Sequence, residues 1–190
     1  MPSNAEATKD RIFQAAVAEF AAHGIAGARV DRIAKQARAN KQLIYAYFGS
    51  KDALFSAVLE RTMDELAVKV PIEGDDLPGY VDRLAAYHVA NPHALRLLLW
   101  ESLERGDSGV VPQSDRSTRY QEETADIRRA QESGKVTDEI DPGMLALLSN
   151  GMISWPLAVP QLRRMMFGDA KPEDLRTTAR KAVERLTELR

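Results

Sequence analysis

Two short helical segments between two longer ones are the feature that most constrains how this chain can fold. Apolar side chains recur with a 3.6-residue period over about 8–22 and again over about 51–70. Between them lie two short segments of the same kind, 30–37 and 41–48. A helix of that length is unstable by itself in water, so the longer helices must hold it. The arrangement predicts a helix-turn-helix unit over roughly 8–55.

The second short segment has one face suited to a nucleic-acid surface. Ile44 and Phe48 share the face that packs on the neighbouring helices, and Gln42 and Leu43 lie away from it. The segment contains no acidic residue, so phosphates would not repel it. In a major groove, glutamine can bond to adenine and leucine can touch a thymine methyl group. The sequence therefore predicts that this helix contacts double-stranded DNA.

The charge distribution agrees with this prediction. Residues 1–51 hold eight Lys/Arg and four Asp/Glu, a balance of +4. The whole chain has 26 basic and 28 acidic residues, which leaves 18 and 24, or −6, for the remainder. A basic N-terminal segment followed by an acidic rest of the chain is typical of a phosphate-binding domain joined to a domain with another function.

The framework residues of the unit form a recognisable string. It runs Arg11-Ile-Phe-x-Ala-Ala-x-x-x-Phe20-x-x-x-Gly24, then Ile33-Ala34, then Leu43-Ile44-Tyr45-x-Tyr47-Phe48-x-Ser50-Lys51-x-x-Leu54. This string resembles the TetR (tetracycline-repressor) family of bacterial regulators. The resemblance implies an all-α homodimer and no enzymatic activity. It also implies that the first three helices bind a palindromic operator, while the remainder binds a small effector and dimerises.

The chain departs from the family pattern at two positions. The family usually has glycine in the turn between the short helices, where this chain has Arg38. A left-handed conformation costs arginine about 1 kcal/mol relative to glycine, so either the turn differs or Arg38 contacts a phosphate. The family often has threonine or serine just before the first short helix. Arg29 stands there and can supply a charged phosphate contact instead.

Nine residues are candidates for contact with DNA. Gln42 and Leu43 are the candidates for base edges, and Lys51 matches a family position that contacts phosphate. The outward position of Tyr45 favours phosphate contact over core packing, whereas Tyr47 fits either. The full set is Arg29, Arg38, Asn40, Lys41, Gln42, Leu43, Tyr45, Tyr47 and Lys51.

The rest of the chain predicts further helices and no strands. These helices lie near 78–90, 93–105, 114–132, 142–166 and 173–189, which makes nine in an all-α fold. A kink is expected at Trp155-Pro156, because proline lacks the N–H that a helix needs. We expect a helix-turn-helix DNA-binding domain over 1–52 and an effector-binding and dimerisation domain over 53–190.

Large or polar side chains on apolar helical faces are candidates for the effector site. Small-molecule pockets are mostly apolar with a few polar anchors, and core packing is the alternative for each candidate. Trp100 and Glu101 are the most suggestive pair, because an acid beside aromatic rings can hold a cation. The set is Tyr87, Leu97, Trp100, Glu101, Tyr120, Ile127, Asn150, Met152 and Trp155.

The family resemblance also implies a homodimer formed through the last two helices. The apolar residues that fit this role are Met144, Leu147, Leu148, Met152, Val183 and Leu186.

Other classes of protein find little support in the sequence. The chain has no cysteine and no metal-ligand spacing, so we expect no metal, no cofactor and a reducing, cytoplasmic location. The apolar stretch 143–159 is shorter than the roughly 20 residues that span a membrane. Two alternatives stay open: a DNA-binding regulator without a small effector, and a small helical enzyme, although no catalytic spacing supports the latter.

Overall fold

The computed structural model describes residues 4–106, 113–169 and 171–189, so the outer ends of both expected domains, residues 1 and 190, lie outside the described residues. The described residues form ten α-helices and no strand, which confirms the predicted all-α class. The helices are α1 (Asn4–Gly27), α2 (Val30–Ala37), α3 (Lys41–Phe48), α4 (Lys51–Lys69), α5 (Leu77–Ala90), α6 (Pro92–Arg105), α7 (Gln113–Glu132), α8 (Pro142–Ala158), α9 (Pro160–Phe167) and α10 (Pro172–Thr187).

The helices form two compact units. Unit 1 comprises Met1–Glu65 and His93–Pro112, and unit 2 comprises Leu66–Pro92 and Gln113–Arg190. Unit 1 therefore contains nearly all of α6 in addition to the helix-turn-helix. This grouping differs from the boundary at residues 52 and 53 expected from the sequence, because a helix distant along the chain packs with α1.

The core of unit 1 holds the two short helices. Phe20 of α1 and Phe55 of α4 are fully buried and meet edge to face, with their ring centroids 5.2 Å apart. Ile33 of α2 and Ile44 of α3 are buried too. Because α2 and α3 have only eight residues each, their stability depends on this packing.

Unit 2 is built around α5, which packs against α8 and α10. Its buried apolar side chains include Leu77, Val81, Leu84, Leu145, Ile153 and Val183. The expectation that Val183 forms a dimer interface is wrong, because this side chain is 0% exposed within its own chain. On the same unit, Asp82 of α5 forms ion pairs with Arg176 and Arg180 of α10.

The helix expected over 142–166 is divided into α8 and α9. The kink was expected at Pro156, which lies inside α8. The chain leaves the helical conformation at Val159, with φ −119° and ψ 70°, directly before Pro160. A proline disfavours the helical conformation of the residue before it, and valine is a weak helix former.

Replacing Phe55 with alanine should lower the free energy of unfolding by about 3–5 kcal/mol, because it empties the centre of the unit 1 core. The control is Leu103→Ala, because Leu103 is 75% exposed on α6 of the same unit. A surface change of this kind costs less than about 0.5 kcal/mol. Urea unfolding followed by circular dichroism measures both variants. Equal losses in the two would contradict the central place of Phe55.

Candidate nucleic-acid interface

One side of α3 packs on the core of unit 1, and the opposite side is exposed. Ile44 is its one buried residue, whereas Gln42 and Tyr45 are exposed and Leu43 is half-buried. The side chains expected to point away from the core therefore do so. A helix fixed by one side and open on the other can enter a major groove.

Asn40 fixes the point at which α3 begins. Its side-chain oxygen accepts hydrogen bonds from the backbone N–H groups of Gln42 (2.6 Å) and Leu43 (3.4 Å). This N-cap satisfies donors that the first turn of a helix otherwise leaves open. Asn40 was expected to contact DNA, and in the structure its oxygen holds the start of the helix.

The turn between α2 and α3 keeps a left-handed residue although that residue is an arginine. Arg38 has φ 51° and ψ 43°, and it is the one non-glycine residue with positive φ in the described part of the chain. Its backbone N–H bonds to the carbonyls of Ala34 and Lys35. The side chain is exposed, so the arginine bears the conformational cost of about 1 kcal/mol while its guanidinium points to solvent.

Glu19, which the sequence did not single out, anchors the start of α2. Its buried carboxylate accepts the backbone N–H of Arg29 (2.8 Å) and the Nε–H of Arg32 (2.7 Å). Burial alone would raise the pKa of Glu19, but these hydrogen bonds and the charge of Arg32 lower it below the usual value. The Arg29 side chain makes no capping bond and is exposed.

The two lysines of the expected set are both engaged within unit 1. The Lys41 ammonium lies 2.8 Å from the carboxylate of Asp31, and both side chains are exposed. Lys51 Nζ donates to the carbonyls of Ala26 and Ala28, each at 3.2 Å. Since an ammonium has three donors, Lys51 keeps one for another acceptor.

Tyr47 lies apart from the exposed face of α3. It lines an open groove of about 770 Å³ together with Lys9, Phe13, Phe48 and Arg61. Its ring meets that of Phe48 edge to face, with centroids 6.4 Å apart. The sequence left phosphate contact and core packing open for Tyr47. In the structure its side chain is half-buried beside Phe48.

Models of two protein-family domains match this chain. "Bacterial regulatory proteins, tetR family" matches residues 12–58, and "Tetracyclin repressor-like, C-terminal domain" matches residues 76–185. The chain belongs to the TetR family. It is a DNA-binding transcriptional regulator, as the sequence predicted, and since the family consists of regulators the prediction that it is not an enzyme is also confirmed.

Relatives of this TetR-family regulator match nearly all of its length or about half of it. The HTH-type transcriptional repressor SCO4008 of Streptomyces coelicolor is 50% identical over 185 residues, which cover 96% of each chain. The HTH-type transcriptional repressor NicS of Pseudomonas putida is 34% identical over 109 residues, covering 54% of this chain and 51% of NicS. The crystal structure of the regulator SCO4942 of Streptomyces coelicolor matches with a TM-score of 0.84 and 35% identity, covering 95% and 98% of the two chains.

Three residues expected in the effector site of this TetR-family chain lie in unit 1 instead. Leu97 and Glu101 are buried there, and the indole N–H of Trp100 donates to the carbonyl of Ala21 at 3.3 Å. They therefore do not share a unit with the other six candidates. An apolar face on a helix shows that the helix packs against something, but it does not show which element is the partner.

The remaining candidates lie in unit 2 with different degrees of burial. Tyr87 and Ile127 are buried, whereas Tyr120 and Trp155 are 55% and 56% exposed. Asn150 donates to the hydroxyl oxygen of Tyr80 at 3.1 Å. Met152 is half-buried on the same helix as Asn150. Burial raises the pKa of Tyr80 to about 12, so this pair is neutral.

His88 and Ser154 add a second buried polar pair between α5 and α8. The Ser154 hydroxyl lies 3.4 Å from His88 Nε2, and His88 Nδ1 has no hydrogen-bond partner among the described residues. His88 is 5% exposed, and burial lowers its pKa to about 4. The sequence did not single out this pair, since one polar residue on an apolar helical face is all that marks either position.

Two kinds of site are absent from the described part of the chain. No group of three or more His, Cys, Asp or Glu residues there is placed to hold a metal ion. None of the helices described in that part combines the length and apolarity needed to cross a bilayer.

The stability of unit 2 should fall as the pH is lowered, because of His88. Its pKa drops from 6.5 to about 4 on burial, so between these values the unfolded state binds a proton that the native state does not. The contribution is complete above pH 6.5 and is lost as the pH falls to 4, about 3 kcal/mol in all.

The free energy of unfolding of wild type and His88→Gln at several pH values between 7 and 4 tests this effect. The difference between the two proteins should change with pH, because glutamine does not titrate. His23→Gln is the control, because His23 is 47% exposed. Parallel profiles for wild type and His88→Gln would show that His88 is not the titrating group.

Proposed function

We propose that this TetR-family regulator is a repressor that binds a palindromic operator as a homodimer and is released by a small molecule. The observation that carries the proposal is α3, an eight-residue helix with a capped start, an exposed side free of acidic residues and one residue buried in the core. The names of SCO4008 and NicS, both repressors, favour repression over activation. The site of action is the cytoplasm, where bacterial DNA lies.

The exposed side chains divide between bases and phosphates. Gln42 and Leu43 at the start of α3 contact base edges. Arg29 and Arg38 are exposed at the start of α2 and in the turn, and their guanidinium groups contact phosphates. Tyr45 adds a hydroxyl on the exposed side of α3.

The other residues expected at the interface contribute less directly to DNA binding. Lys51 has one free donor for a phosphate after its two bonds to carbonyl oxygens. On binding, Lys41 leaves its ion pair with Asp31 and contacts a phosphate. Asn40 and Tyr47 contribute by holding α3 in position. Base recognition thus rests on few hydrogen bonds, so DNA shape contributes to specificity.

An apolar stripe on α8 is the proposed dimer contact. Met144, Leu147, Leu148 and Trp155 are 47%, 65%, 37% and 56% exposed and recur with helical spacing along the helix. A contiguous exposed apolar patch of this kind marks a contact with another protein. The same face of a second copy is a self-complementary partner about a two-fold axis, as a palindromic site requires.

The effector site is proposed for unit 2. The support is two polar contacts, Tyr80 with the half-buried Asn150 and the buried His88 with Ser154, in a mostly apolar interior. Few polar anchors in apolar surroundings are typical of small-molecule sites. Tyr120 also borders an open depression of about 320 Å³ on the surface of α7. A regulator without an effector is the second candidate, favoured by the placement of Leu97, Trp100 and Glu101 in unit 1.

Binding to the DNA upstream of the protein's own gene tests the repressor proposal. Fluorescence anisotropy should show wild-type affinity that falls steeply with salt, as expected when phosphate contacts displace counterions. Gln42→Ala should weaken binding to this site by about 1–3 kcal/mol and leave binding to unrelated DNA nearly unchanged. Gln14→Ala, which changes an exposed glutamine of α1, is the control. Folded wild-type protein that binds no DNA at low salt would refute the proposal.

Sedimentation velocity of Leu147→Arg tests the dimer. A charge in the centre of the apolar stripe should convert the wild-type dimer to a monomer, because it leaves an unpaired charge buried in the contact. The control is Leu103→Arg, which changes a leucine that is 75% exposed outside the stripe. A Leu147→Arg protein that stays dimeric would place the contact elsewhere.

A further inference from the structure

α1 is interrupted at Gly24, one turn before its end. This residue has φ 70° and ψ −174°, outside the helical region. In an unbroken helix the N–H of Ile25 would bond to the carbonyl of Ala21. The interruption leaves both groups, and the N–H of Ala26, in need of other partners.

Three side chains of α6 supply those partners. Arg96 Nε donates to the carbonyl of Ala21 at 2.6 Å, and Trp100 Nε1 donates to the same oxygen at 3.3 Å. The Glu104 carboxylate accepts the N–H of Ile25 at 2.8 Å and that of Ala26 at 2.7 Å. We call Arg96, Trp100 and Glu104 the α6 clamp.

The clamp matches the interrupted helix in spacing and in charge. Its three residues recur at every fourth position and therefore share one face of α6. A cation lies at the freed carbonyl, and a carboxylate receives the two freed N–H groups, the polarity that helix ends favour. Gly24 is required here, because a Cβ atom would lie 2.8 Å from the Trp100 ring and would collide with Glu104.

The short segment beyond the interruption is where α2 and α4 are tied to α1. The carbonyls of Ala26 and Ala28 receive Lys51 at the start of α4. The carbonyl of Gly27 receives Arg32 of α2 at 2.9 Å. The clamp therefore fixes a segment whose carbonyl groups set the positions of α2 and of the expected phosphate contact Lys51.

We propose that Arg96, Trp100 and Glu104 are positioning residues for DNA binding, which act by holding the interruption of α1 in its observed geometry. The inference rests on the proposed DNA-binding function. It assigns a role in that function to a helix that comes well after the helix-turn-helix in the chain. If the clamp only satisfied backbone groups, its loss would lower stability without changing the DNA affinity of the folded protein.

The test compares Glu104→Ala and Glu104→Gln with wild type in the full chain. Amide hydrogen exchange at Ile25 and Ala26 measures the clamp directly, and it should rise about tenfold in Glu104→Ala because both acceptors are lost. The DNA affinity of Glu104→Ala is measured well below its melting temperature. We expect a loss of about tenfold, which corresponds to one molecule in ten keeping the binding geometry. Glu104→Gln should lie between the two in both measurements, because an amide offers one acceptor oxygen.

Controls separate the possible outcomes. Glu60→Ala removes an exposed carboxylate from α4 of the same unit and should change neither measurement. If Glu104→Ala does not fold, Trp100→Phe replaces it, which deletes one donor and keeps an aromatic ring. We expect Trp100→Phe to lower the DNA affinity about threefold. Unchanged affinity in a folded variant, or unchanged exchange at Ile25 and Ala26 in folded Glu104→Ala, overturns the inference. Wild-type protein that binds no DNA refutes the repressor proposal itself, and this inference with it.

Discussion

The contact between Phe20 and Phe55 is the interaction on which the DNA-binding unit depends. Both rings are fully buried, as are Ile33 of α2 and Ile44 of α3 in the same unit. Neither α2 nor α3, with eight residues each, has enough hydrogen bonds to be stable alone. The core therefore does more than stabilise the unit. It makes α3 a helix and determines which of its sides is exposed.

Polar contacts then fix the short helices more finely than apolar packing can. Asn40 sets the first residue of α3, Glu19 holds the start of α2, and the α6 clamp closes the interruption of α1. Several groups suited to DNA are thus occupied within the protein. Arg29, Arg38 and Gln42 stay exposed at the proposed interface, and we propose that they make the more direct contacts.

Much of this arrangement could be predicted from the sequence, because it depends on local patterns. Helical periodicity and the framework residues from Arg11 to Leu54 predicted the helix-turn-helix and its family. The glycine that the family usually has at the position of Arg38 pointed to a left-handed residue there, with a different turn as the open alternative. The exposed side of α3 followed from the face shared by Ile44 and Phe48.

What the sequence did not predict depends on contacts between distant residues. Nothing near Trp100 indicates that α6 packs on α1, because an apolar face fits many partners. The burial of Val183 likewise depends on the helices that α10 packs against, α5 and α8, and not on its own helix. The break at Val159 was an exception, since Pro160 directly after it was visible in the sequence, but an interruption was expected at the nearby Pro156 instead.

The central claim is that the exposed side of α3 binds a two-fold symmetric DNA site. Hydroxyl-radical footprinting of the wild-type protein on the DNA upstream of its own gene tests this claim most directly. We expect two protected patches related by two-fold symmetry, with centres about one helical turn or a multiple of it apart. A folded protein that protects no DNA, or that protects one patch without symmetry, would contradict the account.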